Sequence, residues 1–282
     1  MTAGRPASRS PFPRAPGLAP GFGLALRAEW TKTRTLPGTG WLLLAVAALT
    51  VTVGVVADEA FGCQGGACTA VLAGADPARI TLTGVRVSQV LAVIAAVLTI
   101  GGEYGTGMIR VTLAAMPRRL TVYAAKAAVL TGLLLVTATA AVLGSVLAGR
   151  LILPGRGFTA GHSLPPLAAG TVLRAAGGSV LYLVLAGLLA FGVAAAVRDA
   201  AAATGAVLAV LLAFPILSHV VTDSVWARHL EQASPMTAGL YIQVTVGVPS
   251  LPLTPWQGLG VLALWALGAL LLGGFVLRVR DA

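Results

Sequence analysis

Few side chains in this 282-residue chain are arranged to do chemistry. His162, His219 and His229 do not pair at the spacings that hold a metal ion, and no H-E-x-x-H run occurs. No G-x-x-x-x-G-K-[S/T] run exists either. Lys32 and Lys126 lack the glycines that would cradle a phosphate, so the chain is expected to bind no nucleotide of its own. A G-x-S-x-G nucleophile elbow is missing. Asp and Glu are absent from the middle of every long apolar run, which leaves a proton relay or carboxylate cation site without residues. The expectation is a chain that is not an enzyme and binds no metal or cofactor. What remains is a concentration of charge in GEYGTGMIRVTLAAMPRRLTVYAAK, Gly102 to Lys126, which holds Glu103, Arg110, Arg118, Arg119 and Lys126 between two apolar runs.

As a helix, Gly107–Met116 puts Ile109, Leu113 and Met116 on one face, with Arg110 and Ala114 on others. Thr106 is placed to cap its start, and Pro117 ends it or redirects it. Arg118 and Arg119 then open the next apolar run from its polar side. The stretch reads as a short amphipathic helix held between two membrane helices. A plainer reading is a basic loop that only fixes orientation.

The composition explains why a membrane enters the argument. Hydrophobic residues make up 57% of the chain and charged ones only 10%, where a soluble domain carries about a quarter. The net charge of +10 does not point to nucleic acid, because the basic residues flank apolar runs instead of forming a stripe with aromatics. Residues 1–20 are rich in Pro, Arg, Ser and Gly and read as a disordered tail. No signal-like apolar core precedes Trp41, so the first apolar run is expected to be an uncleaved span. Within 21–40, Phe22, Leu26, Trp30 and Thr33 form a helical stripe that suits a helix lying in the membrane interface. Glu29 falls on that stripe. Either the helix frays there or Glu29 meets a partner, and an exposed Glu near Lys32 is the simpler choice. Leu36-Pro37-Gly38 turns the chain inward.

Residues 41–282 hold six apolar runs, Trp41–Ala57, Leu82–Gly102, Ala127–Gly149, Ala175–Val197, Ala200–Val221 and Gly258–Leu277. About 20 residues cross a hydrocarbon core of about 30 Å. The predicted fold class is therefore an all-α integral membrane protein with six transmembrane helices. Arg198 and Asp199 alone part the fourth and fifth spans, which predicts a tight hairpin, and Pro215 predicts a kink in the fifth. Arg86 reads as an anchor that snorkels to the outer interface. Gly132, Gly144, Ala148, Gly187, Gly268, Gly273 and Gly274 permit close helix contacts. With the N-terminus inside, 13 of the 19 basic residues fall on the inner side, which predicts both termini and Gly102–Lys126 in the cytoplasm. Outside, Cys63 and Cys68 in CQGGAC are placed to close a small disulfide loop, with two free thiols or an incomplete zinc site as alternatives. The long segment Thr222–Gln257 contains YIQVTVGV, read either as an interfacial strand or as a re-entrant piece.

The chain resembles the membrane subunit of ABC-2-type exporters, most closely the actinobacterial members. The resemblance rests on LRAEWTKTRTLPGTGW before the first span, GEYGTGMIRVTLAAMPRRLTVYAAKA between the second and third, and RVRDA at the C-terminus. It covers nearly the whole chain. It departs from the family's pattern at Gly105, where Arg more often follows Glu-Tyr. The resemblance implies a permease in the plasma membrane, working as a homodimer or heterodimer with a separate ABC ATPase that binds ATP and Mg. It implies that Gly107–Met116 is the coupling helix, with Ile109, Leu113 or Met116 as apolar anchors, Arg110 on the rim, and Pro117, Arg118 and Arg119 fixing its angle. Glu103 would take a positive partner or cap the turn, and the helix around Phe22, Leu26, Glu29 and Trp30 would be the interfacial connecting helix. The alternatives are a transporter-like protein that signals or anchors, and an ATP-independent secondary transporter.

Overall fold

A computed structural model describes residues 21–35, 37–60, 75–109, 119–156, 170–221 and 223–279. Every regular element among them is helical. Apolar runs this long and poor in charge can satisfy their backbone groups without water only by bonding within the segment, which is what a helix does. The elements are α1 (Phe22–Thr35), α2 (Pro37–Ala60), α3 (Pro77–Thr81), α4 (Thr83–Gly105), α5 (Arg119–Ile152), α6 (Gly170–Val197), α7 (Ala200–Val220), α8 (Ser224–Ala233), α9 (Pro235–Leu240) and α10 (Pro255–Val279). Six stretches are long and apolar enough to cross a membrane: Gly38–Ala60, Pro77–Gly105, Arg119–Gly155, Gly170–Val197, Ala200–Ser218 and Pro255–Val279. These correspond one to one with the six apolar runs of the sequence. The CQGGAC motif lies outside the described residues.

The connections follow local chemistry. α2 opens on Pro37, at the first helical position, where its missing N–H costs nothing. The hairpin between α6 and α7 turns on Arg198, a non-glycine residue at φ 65°, and Asp199 caps α7 by accepting from Ala202 N at 2.7 Å. Pro215 sits inside α7, which continues through it to Val220.

α4 and α6 form the centre of the bundle and are buried along most of their length, whereas α2, α7 and α10 keep most of their residues at the surface. α6 packs on α10, α4, α5 and α7, and α2 packs on α4 and α5. The segment between α7 and α10 is neither a loop over the surface nor a strand. α8 and α9 double back, and α9 buries Met236, Ala238, Gly239 and Leu240 against α10, α7 and α6. The YIQ of YIQVTVGV forms a single 3-10 turn, Tyr241–Gln243, in which Ile242 and Gln243 are buried. Of the two sequence readings, the re-entrant one fits this geometry. Polar side chains go in with it and are satisfied. Tyr182 donates its hydroxyl to Gln89, Gln89 donates to Met236 Sδ at 3.4 Å, and Gln243 donates to Ser179 Oγ at 3.0 Å.

Helices approach to backbone contact at glycines. A β-carbon at Gly192 of α6 would lie 2.4 Å from the carbonyl carbon of Ala269 in α10, and one at Gly273 would lie 2.5 Å from the carbonyl oxygen of Gly192. Gly144 and Gly187 are similarly tight, against Val51 and Leu134, while Gly132 and Gly268 of the predicted set face open space. Gly192→Ala should therefore destabilise the purified protein by about 1–3 kcal/mol, because backbone cannot give way as a side chain can. Gly132→Ala should stay within about 1 kcal/mol of the wild type. Thermal melting in detergent checks this, and equal tolerance of both substitutions would contradict the observed α6–α10 contact.

Candidate functional site

Four charged side chains meet where α1, the end of α4 and the start of α5 converge. α1 supplies Glu29 and Lys32, one helical turn apart. α4 supplies Glu103 two residues before its end, and α5 supplies Lys126 from its third turn. Lys126 Nζ lies 2.7 Å from Glu29 Oε2 and 2.5 Å from Glu103 Oε1. Lys32 pairs with the same Glu103 oxygen. Glu29, Glu103 and Lys126 are 7%, 5% and 4% exposed, and only Lys32 reaches solvent appreciably. Glu103 Oε2 is buried without a hydrogen-bond partner among the described residues. A cavity of about 70 Å³ borders the cluster, with Thr33 and Thr99 in its wall.

The four charges sum to zero, as burial requires. Taking an ion out of water costs several kcal/mol even after relaxation, and only close pairing offsets it. The cluster is thus a weak source of net stability and a strong constraint on which three helices sit together. It also corrects one sequence reading and selects between the alternatives of another. Glu29 is buried with Lys126 as its partner, so it is not the exposed Glu of the simpler choice. Glu103 takes positive partners instead of capping the turn. The buried face of α1 accordingly runs through Ala25 and Glu29, flanked by half-buried Leu26, Lys32 and Thr33, and packs on α5. Phe22 and Trp30, predicted to share a stripe with Leu26, are 48% and 46% exposed.

Lys126 and Lys32 were not among the candidate residues. A signal for them was present: they are the chain's only lysines, against 17 arginines.

Beyond α4 the chain turns. Thr106 donates both its N–H, at 3.2 Å, and its hydroxyl, at 2.9 Å, to Gly102 O, and Gly107 takes φ 70°. Thr106 therefore closes α4 instead of capping the helix that follows; the left-handed glycine makes this a helix C-terminus. Ile109 is buried and Met108 is exposed. Arg110, Leu113, Met116 and Arg118 lie outside the described residues. Arg119 opens α5 and donates to Leu277 O of α10 at 3.3 Å. Arg198 donates to Val276 O at 3.4 Å and lies 5.6 Å over the Tyr104 ring. Two cations thus sit on the last carbonyls of α10, where the helix dipole favours positive charge. No group of metal-ligating residues occurs among the described residues.

No protein-family model matches the chain, and no curated protein is similar enough to stand as a relative.

Removing Lys126 should expose the cost of its two carboxylates. Lys126→Met should lower stability by about 3–5 kcal/mol. Combining it with Glu29→Gln should recover most of that loss, since Glu103 and Lys32 then remain as a neutral pair. Thermal melting of the wild type and the two variants in one detergent tests this. A double variant no more stable than Lys126→Met would show that packing, not charge balance, sets the effect.

Proposed function

We propose that the chain is the membrane subunit of an ATP-driven exporter of the ABC-2 type, working as a dimer of permease halves with two copies of a separate ATPase. The observation that carries this reading is the buried Glu29–Lys32–Glu103–Lys126 cluster. It joins a helix outside the spans to the end of the second span and the start of the third, directly beside the segment that links those two spans. A push on residues 106–118 would then move α1, α4 and α5 as one body. Arg119 extends the linkage to the end of α10. A basic loop that only fixes orientation would have no need of a buried charge network at both its ends.

In this reading Ile109, Leu113 and Met116 are the apolar anchors of the coupling helix, with Arg110 at the rim and Arg118 and Arg119 setting its angle to the third span. The ATPase supplies ATP and Mg. Closure of its two copies biases the permease pair between two states. The basic-residue bias puts both termini and the cluster on the cytoplasmic side of the plasma membrane. The exposed faces of Phe22 and Trp30 then suit the headgroup layer, with α1 as the interfacial connecting helix. The surface-facing residues of α2, α7 and α10 are left for lipid and for the second permease half.

The test is co-purification with the ATPase at matched membrane levels. Leu113→Asp would put a charge into an apolar contact and should abolish the complex and its stimulated ATP turnover. Arg110→Ala, at the rim, should cost about 1 kcal/mol or less. An intact complex with full turnover in Leu113→Asp would remove the coupling role from this segment.

A further inference from the structure

At the end of the bundle opposite the ion-pair cluster, a second polar pocket opens between the start of the second membrane helix and the returning segment. Arg79, Thr83 and Arg86 line one wall, at helical spacings of four and three residues. Thr237, Tyr241 and Gln243 line the other, around a cavity of about 60 Å³. Neither Arg79 nor Arg86 makes an ion pair or a side-chain hydrogen bond with a described residue. Both arginines are exposed, so each guanidinium keeps its five donors, in a fixed fork, open at the mouth of the pocket.

The neighbouring charges have partners of their own. Asp76 accepts from Thr245 N at 2.5 Å, Thr245 Oγ1 at 2.6 Å, Val246 N at 3.0 Å and Arg79 N at 3.2 Å. Glu231 accepts the Tyr241 hydroxyl at 3.3 Å. Arg174 donates to Val244 O at 2.5 Å and adds a third cation behind the pocket. Tyr241 stays a neutral hydroxyl, since burial first and the Glu231 carboxylate second push it up to about 12. Gln243 is committed to Ser179 and Leu82. Thr237 accepts from Ser234 Oγ at 3.1 Å, which leaves its own proton to donate.

Arg86 stands nine residues beyond Pro77, about 14 Å along the helix, and its side chain is exposed there. A cation within an apolar span is favoured by an anionic partner. Two guanidinium groups and a hydroxyl donor that line one small pocket match an acceptor with several oxygens. We propose that this pocket binds a phosphate-bearing anion, either as a lipid headgroup or as free phosphate. The site is independent of what the bundle carries and of any ATPase.

The test uses the full chain in an alkyl-maltoside detergent, with the melting midpoint titrated by short-chain phosphatidylglycerol, by inorganic phosphate, and by a neutral glycolipid of the same chain length. The expected result is a saturable rise in midpoint with an anionic ligand beyond that with the glycolipid. A response to phosphatidylglycerol alone assigns a lipid headgroup, and a response to inorganic phosphate as well assigns a free anion. The double variant Arg79→Gln with Arg86→Gln should weaken the apparent affinity at least about tenfold. Thr237→Leu, which fills the pocket and keeps both charges, should weaken it comparably. Arg228→Gln, an exposed charge on α8, should leave it unchanged. The proposal is overturned if no anion-dependent rise occurs, if either pocket variant keeps the full response, or if Arg228→Gln loses as much as they do.

Discussion

Lys126 sits between two carboxylates where a single unpaired charge would not be tolerated. That constraint orders one end of the molecule. An ammonium 4% exposed must have its counter-charges within reach, so Glu29 has to be brought from a helix that belongs to no span, and Glu103 from the preceding span. Once Glu103 is committed, Lys32 follows, and the orientation of α1 about its own axis is fixed. The face that α1 buries is therefore set by charge pairing and not by its most apolar stripe. Phe22 and Trp30 remain outward as a consequence.

The rest of the bundle depends on a different limit, the close approach of backbones. α6 and α10 touch through Gly192 and Gly273, and α2 and α4 through Gly84, whose β-carbon would fall 2.0 Å from Thr50 O. In a bilayer there is little hydrophobic drive to bring helices together, so close van der Waals contact and hydrogen bonds must do it. The buried hydroxyls fit that pattern: Thr50 donates to Val46 O and shares a hydroxyl–hydroxyl hydrogen bond with Ser88, and Tyr123 reaches Leu270 O at 3.0 Å while its ring packs on Phe191. The ion-pair cluster at one end and the Asp76 tether at the other frame these contacts.

The six spans were legible because charge-poor apolar runs of this length allow one backbone solution, and their ends carry Pro37, Arg198–Asp199 and Pro255. The partnership of Glu29 with Lys126 was not legible, since 97 residues separate them and no local pattern links the two. Thr106 misled for a definable reason. A hydroxyl residue before a helical pattern looks like an N-cap, but the left-handed Gly107 beside it makes the same hydroxyl the close of the helix before. The returning segment was hard to read because α9 has six residues and its burial depends on Gly178, Gly239 and Gly258 in the surfaces that meet there, a tertiary property. The anion pocket needs the same fold-back, so Arg86 alone read as an anchor.

The central claim, that charge pairing locks α1 to the second and third spans as one body, is tested most directly by a distance measured between α1 and α5. Spin labels at Arg27→Cys and Ala124→Cys, both exposed, are placed in a chain with Cys63→Ser and Cys68→Ser, and pulsed dipolar spectroscopy is recorded in lipid nanodiscs. The predicted result is a single narrow distance distribution that broadens or divides when Lys126→Met is added. A distribution equally narrow with and without Lys126 would mean that apolar packing alone holds α1, and would contradict the claim.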